Sequence, residues 1–403
     1  MSLKRTLLLS PMLAVGLAWP AAAMAESIPS VVVTVENGQP SRGIFLTPVW
    51  IGIHDGSFDS YDGGQVASVP LGGDEIERLA EDGNNAPITA TFDQVTGGAP
   101  QFEALAGPGG PLAPGDRASV TLNVDPAVDR YFSYASMIIP SNDFFTANGN
   151  PLAHELFDAN GDFVGEDFVV SGDETNDAGT EVNDEVAGNV AFLNQTGPDI
   201  GVTENLPVAT PAPGFAAPGT LAYPDGVLNY PVFGNGDFND ADDRILLVKL
   251  QFVDLGGRVR FRSSLSTDQE VQPDVVDSGA SGRATLVARD GQSVRIDVRF
   301  DGLTGPLTAA HLHLAPAGSN GPIVVDMGSG IRRSGVRFTA SAGDLTGPLA
   351  GQDFVALLNE LAAGNVYINL HTAEFPAGEL RGQVALRDFD APRDDGDKDS
   401  DDD

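Results

Sequence analysis

The chain has 403 residues, 41% of them hydrophobic, with 48 Gly and 28 Pro, which is enough for more than one packed domain. Its 57 acidic and 22 basic residues give a formal charge of -35, which argues against nucleic acid, since that partner needs basic surface to replace its counterions. The absence of Cys excludes disulfides, thiolate metal sites, a thiol nucleophile and a lipidated N-terminal cysteine.

At the start of the chain Lys4 and Arg5 precede an apolar run over 7–19. Ala23-Met24-Ala25 then forms a small-x-small cleavage site before Glu26. Residues 1–25 therefore read as a secretory signal peptide. No later apolar run approaches the roughly eighteen residues needed to cross a bilayer, so the expected product has no membrane span and is secreted or periplasmic. β-like runs follow at 31–35, 44–51, 119–124, 131–139 and 245–253, separated by clusters of Gly, Pro, Asn and Asp. A short surface helix is expected over 74–81, where Ile76, Leu79 and Ala80 share one face. Residues 140–243, including a Pro-rich stretch at 198–231, read mostly as loop, an excursion long enough to suggest a functional or flexible segment.

The acidic, Pro-containing segment 266–278 reads as a linker between a domain at 26–265 and another at 279–387. In the second domain the alternation at 283–288 and 294–300 suits half-buried antiparallel strands. Further strands are expected at 310–314, 336–340, 366–370 and 380–386. One helix is expected over 353–363, with Gly364 as its stop. Residues 388–403 hold nine Asp against Arg393 and Lys398 and read as a disordered acidic tail. The expected fold class is all-β: an antiparallel β-sandwich, then a second β-sandwich or barrel with one short helix.

Two acidic stretches carry the first candidate site. Asp143 follows a strand-like run, and Asp177 and Glu181 are four apart with Gly179 between them, a spacing that lets a tight turn bring both carboxylates round one hard cation. On spacing alone the alternative is a pair of solvated acidic loops. Asp158-Ala159-Asn160-Gly161-Asp162 begins like an EF-hand loop, but Phe163 and Val169 stand at the sixth and twelfth places. The stretch 235–240 departs in the same way, and both read as acidic turns, the alternative being a weak extra ion site.

His311 and His313 are two apart and share one strand face, and His371 alternates away from Val366, Ile368 and Leu370. Three convergent imidazoles would suit copper or zinc. The chain has no Gly-x-Ser-x-Gly elbow, phosphate-binding loop, His-Glu-x-x-His or dinucleotide fingerprint, so the expectation is a protein that is not an enzyme.

Four stretches occur in a specific order across 31–262: Ile53-His54-Asp55-Gly56 with Phe58-Asp59; Leu79-Ala80-Glu81-Asp82-Gly83-Asn84; Ala135-Ser136-Met137-Ile138-Ile139-Pro140-Ser141-Asn142-Asp143; and Asp177-Ala178-Gly179-Thr180-Glu181. This part of the chain resembles the spondin N-type domain. The resemblance implies a calcium-binding antiparallel sandwich with ligands at Asp143, Asp177 and Glu181, where Glu181 departs from the Asp of the family pattern. The second domain carries Gly302-Leu303-Thr304, Ala310-His311-Leu312-His313, Asn320-Gly321-Pro322-Ile323-Val324, and Gly364-Asn365-Val366-Tyr367-Ile368-Asn369-Leu370-His371-Thr372. It closes with Pro376-Ala377-Gly378-Glu379-Leu380-Arg381-Gly382-Gln383. It resembles the chordin-type domain, a likeness that brings no settled activity. Together these readings imply an exported, calcium-binding, non-catalytic binding or adhesion protein whose partner is an extracellular or envelope protein or glycan. The alternative is a copper- or zinc-binding redox protein or enzyme centred on His311, His313 and His371.

Overall fold

The computed structural model describes residues 26–271 and 278–387. The expected signal peptide, the acidic tail and residues 272–277 lie outside the described residues.

In the strand Pro29–Asn37, Val31, Val33 and Val35 point one way and Val32 and Thr34 the other, a β-branched run that fits a pleated, buried surface. It lies between Arg117–Asn123 and Arg244–Asp254 in a four-stranded sheet, with Phe168–Ser171 at the far edge. A seven-stranded sheet faces it, in the order Asn176–Asp177, Phe144–Ala147, Tyr131–Ile139, Val49–His54, Gln101–Leu105. Its remaining short strands, Phe45–Leu46 and His154–Glu155, also pair with Tyr131–Ile139. All pairings are antiparallel, and the core between the sheets takes the three valines together with Ile51, Ile53, Phe132 and Tyr134. The first unit is therefore the expected sandwich.

Tyr131–Ile139 is buried along both faces: on its outer side Ala135 packs in a cluster with two helices, and Met137 and Ile139 pack with Ala191 and Phe45. The helix α1, Glu75–Asp82, matches the expected segment and ends at Gly83 with φ 63°. The helix α2, Ala86–Thr96, was not expected, since Thr and Val favour strands. It forms because Pro87 sits in the first turn, where its missing N–H costs nothing, and because Ile88 and Phe92, four apart, are buried against Trp50 and Phe58.

The second unit is one curled sheet of ten antiparallel strands. Arg258–Ser266 belongs to it: this strand pairs along its whole length with Ser281–Arg289. The change of sheet therefore comes at the Gly256-Gly257 turn, ahead of the expected linker at 266–278. The reason is physical. Val259, Phe261 and Leu265 alternate into the second core, and the acidic segment joins Ser266 to its direct neighbour Ser281.

Helix α3, Phe354–Ala363, buries Phe354, Leu357, Leu358 and Leu361 in the same core and ends at Gly364 with φ 77°. At about 1.5–3 kcal/mol for each such side chain, packing holds this ten-residue helix, which propensity alone would leave marginal. It also bridges the two units. The Thr121 hydroxyl donates to the Asn359 carbonyl at 2.8 Å, the Asn365 amide donates to the Ser119 carbonyl at 3.1 Å, and Val32 joins the second core.

Candidate functional site

After Tyr131–Ile139 the chain reverses at Pro140-Ser141. The Ser141 hydroxyl donates to the Ile138 carbonyl at 2.6 Å and accepts the Phe144 N–H at 3.0 Å. This turn delivers Asp143 fully buried at the head of Phe144–Ala147. Asn176–Asp177 pairs with that strand, Asp177 opposite Phe144, so the second acidic stretch lies against the first. Gly179, at φ 66°, then bends the chain back, and a Cβ there would stand 2.7 Å from the Leu206 carbonyl oxygen. As a result the Thr180 and Glu181 N–H groups both donate to Asp143 Oδ2, at 2.8 and 3.1 Å.

The three expected residues are thus gathered round one turn, but they are not equivalent. Asp177 is engaged at both oxygens, by the Gly179 N–H at 2.9 Å and the Asn183 amide at 2.7 Å. Asp143 Oδ1 and Glu181 Oε2 are buried with no hydrogen-bond partner. All three side chains are buried, with Asp177 the most accessible at 9%, so they are not solvated acid.

Sequence reading missed a fourth carboxylate. The apolar face of α1, Leu79 and Ala80, packs in a cluster with Ala178, and this sets Glu81, 2% exposed, beside the turn. The Thr180 hydroxyl bonds to Glu81. Burial first, and then Glu81 and Asp143, push the Glu181 carboxyl up to about 8. Burial also raises Glu81 to about 7 in spite of Arg78, and burial followed by the charge of Asp177 holds Asp143 well above the usual carboxylate range. Arg78 is already shared among Glu81, Asp82, Glu77 and Asp199. Glu77, Glu81 and Asp199 bring oxygens within 4.8 Å of one another, but that group is the ion-pair hub of Arg78. The signal for Glu81 was present in the Leu79-to-Asn84 stretch, where two acids directly follow the buried face of a helix.

The histidines converge. The strands Leu307–Leu314 and Val366–Thr372 pair with His311 opposite Asn369 and His313 opposite Tyr367, which puts His311, His313 and His371 on one face. One nitrogen from each lies within 4.8 Å of the others. Two rings are anchored through backbone carbonyls: His313 Nδ1 to Gly321 at 2.9 Å and His371 Nδ1 to Pro376 at 3.1 Å. Those bonds fix Nδ1 as the donor and leave Nε2 with its lone pair, the arrangement seen around metal-bound imidazoles. His371 Nε2 meets His311 Nδ1 at 3.1 Å, whereas His313 Nε2 is buried without a partner.

Behind His313, Tyr367 stacks at 4.8 Å and Arg381 lies 3.6 Å over the tyrosine ring. Arg381 also clamps the 316–321 loop through the Ser319 carbonyl at 2.7 Å. Burial lowers all three imidazoles, His371 to about 4, so the cluster is neutral at pH 7. The Asp158 carboxylate serves its own turn, accepting the N–H groups of Asn160 and Asp162.

Residues 261–384 match the CHRD domain family, a segment that runs across most of the ten-stranded sheet and contains His311, His313, His371 and Arg381. No curated protein matches the chain.

Proposed function

We propose that this is an exported, non-catalytic binding protein whose first, spondin-like domain is held in shape by calcium. The observation that carries this reading is the pair of buried, unpartnered carboxylate oxygens, Asp143 Oδ1 and Glu181 Oε2, in a cluster short of positive charge. Burying ionised carboxylates without a counter-charge is strongly unfavourable, and an all-oxygen donor set suits a hard cation. Asp143, Glu181 and Glu81 would hold the ion, with Asp177 fixing the turn. The ion supplies charge that locks the 177–181 loop against α1 and so orders one end of the sandwich. The CHRD match supports a binding-type module in the second half.

Calcium at about a hundredfold over its Kd should stabilise the protein by about 2.7 kcal/mol, raising Tm by about 5–10 °C, and a chelator should reverse this. Calorimetry of the purified protein, with and without calcium, measures it. An unchanged Tm would sink the reading.

The three-imidazole cluster favours a second reading, a copper or zinc centre in the CHRD segment, because three neutral nitrogens already lie within 4.8 Å of one another. Elemental analysis should then find one zinc or copper per chain, lost in His313→Ala. Retention of the metal in that variant would count against the centre.

A further inference from the structure

The outer face of the second sheet is strongly basic although the chain as a whole is not. In Arg258–Ser266, Ser281–Arg289, Ser293–Asp301 and Gly335–Ser341 the apolar residues alternate inward, so every second residue shares the outer face. Register aligns those residues in rows. Arg258 pairs with Arg289, Arg260 and Arg295 flank Val287, and Arg283 faces Arg299. In the remaining row Arg262 pairs with Thr285, which pairs with Asp297, which pairs with Arg337. These rows place eight of the chain's 22 basic residues on one face of the curled sheet, with Asp297 among them and Asp301 in the next row beyond Arg299.

Asp297 Oδ2 accepts the Arg337 Nε–H at 3.0 Å and has Arg295 at 3.9 Å, and its Oδ1 has Arg299 at 3.9 Å, so one acid is shared among three guanidinium groups and does not neutralise the face. Arg295, Arg299 and Arg337 are each more than 60% exposed.

We propose that this face binds a linear acidic polysaccharide, one bearing a carboxylate or sulfate on its successive sugars. Guanidinium is the side chain that pairs planar oxyanions bidentately, and every basic group in the grid is Arg. Arg258 and Arg289, like Arg283 and Arg299, lie about 4.8 Å apart on adjacent strands, Arg260 and Arg295 about twice that, and successive arginines along a strand roughly 6.7 Å apart, a spread of charge that meets a repeating anion and not a single small one. The other members of the grid are Ser, Thr, Val and Gly, so there is no aromatic platform on which bases would stack, as single-stranded nucleic acid requires. Strongly acidic surface elsewhere repels a broad polyanion and leaves a strip that a thin chain can follow. The inference stands apart from both metal sites.

Dextran sulfate and polygalacturonate, offered to the full chain at low salt, should both bind, with affinity falling steeply as salt rises, while neutral dextran should not. The fourfold variant Arg283→Ser, Arg295→Ser, Arg299→Ser, Arg337→Ser alters exposed positions. It should keep the wild-type melting curve and lose binding by about tenfold or more. Absence of binding to either polymer, or unchanged binding in the variant, would overturn the proposal. Equal affinity for single-stranded DNA would overturn it too, because the face would then read charge alone. The acidic residues 388–403 follow Arg387, whose N–H donates to the Arg260 carbonyl. Binding that emerges only after their removal would assign the face to the chain's own tail.

Discussion

At Asp143 one oxygen is held by two backbone N–H groups and the other is buried without a partner, so the proposed calcium ion would give this charge its missing counterpart. Replacing it by the isosteric amide tests that directly. Asp143→Asn keeps a carbonyl oxygen for the Thr180 and Glu181 N–H groups and removes a buried negative charge next to Asp177. In chelator the variant should be as stable as the wild type or more so, by on the order of 1–3 kcal/mol. In calcium the order should invert, because only the wild type gains. Melting curves in the two buffers read the crossing; a variant less stable in both would mean that Asp143 is compensated by the protein itself. The turn that joins Asp177 and Glu181 was legible in the sequence because turn chemistry is local, whereas Asp143, 34 residues earlier, was joined to them through the resemblance. Glu81 was not legible, because its place beside Glu181 depends on how α1 packs across the sheet, which no spacing encodes.

Elements were legible where their cause lies within them. Val31 to Val35 and the run through Tyr131 to Ile139 announce strands by β-branched and aromatic content, and α3 is marked by its apolar face and by Gly364. The helix α2 was missed because tertiary burial of Ile88 and Phe92 overrides the strand preference of its Thr and Val residues. The boundary expected after residue 265 leaves Arg258–Ser266 with the first domain for a related reason: its alternation is the same whichever neighbour it pairs with, and its partner Ser281–Arg289 lies across the acidic segment. The convergence of His311, His313 and His371 was foreseeable as a shared face but depended on register, which puts Asn369 opposite His311 and brings His371 within reach. The arginine face shows the limit from the other side. Arg258, Arg260 and Arg262 alternate plainly in the sequence, yet the neighbouring strands that turn one stripe into a surface are fixed only by the ladder.

For the molecule as a whole, four buried carboxylates gather where the 177–181 turn meets Asp143 and Glu81, exposed arginines line the second sheet, and the buried acid sets the response to pH. Glu181 and Glu81 have folded-state values of about 8 and 7 against an ordinary 4.5. Between those limits the folded chain keeps protons that the unfolded chain has released, so the metal-free protein loses stability as pH rises. The histidines act in the opposite sense, but lower down. His54, His154 and His371 are depressed from 6.5 to about 4 and cost stability only as pH falls below about 6.5. Above that the carboxylates act alone. In chelator, therefore, Tm should fall between pH 6.5 and 8, by an amount corresponding to on the order of 2 kcal/mol. In calcium the slope should flatten, because the ion takes the place of the protons. Thermal melts at half-unit steps of pH in both buffers measure this. A chelator profile that rises over the same range would mean that the buried carboxylates are ionised and compensated in the folded chain, and the calcium site would lose its physical basis.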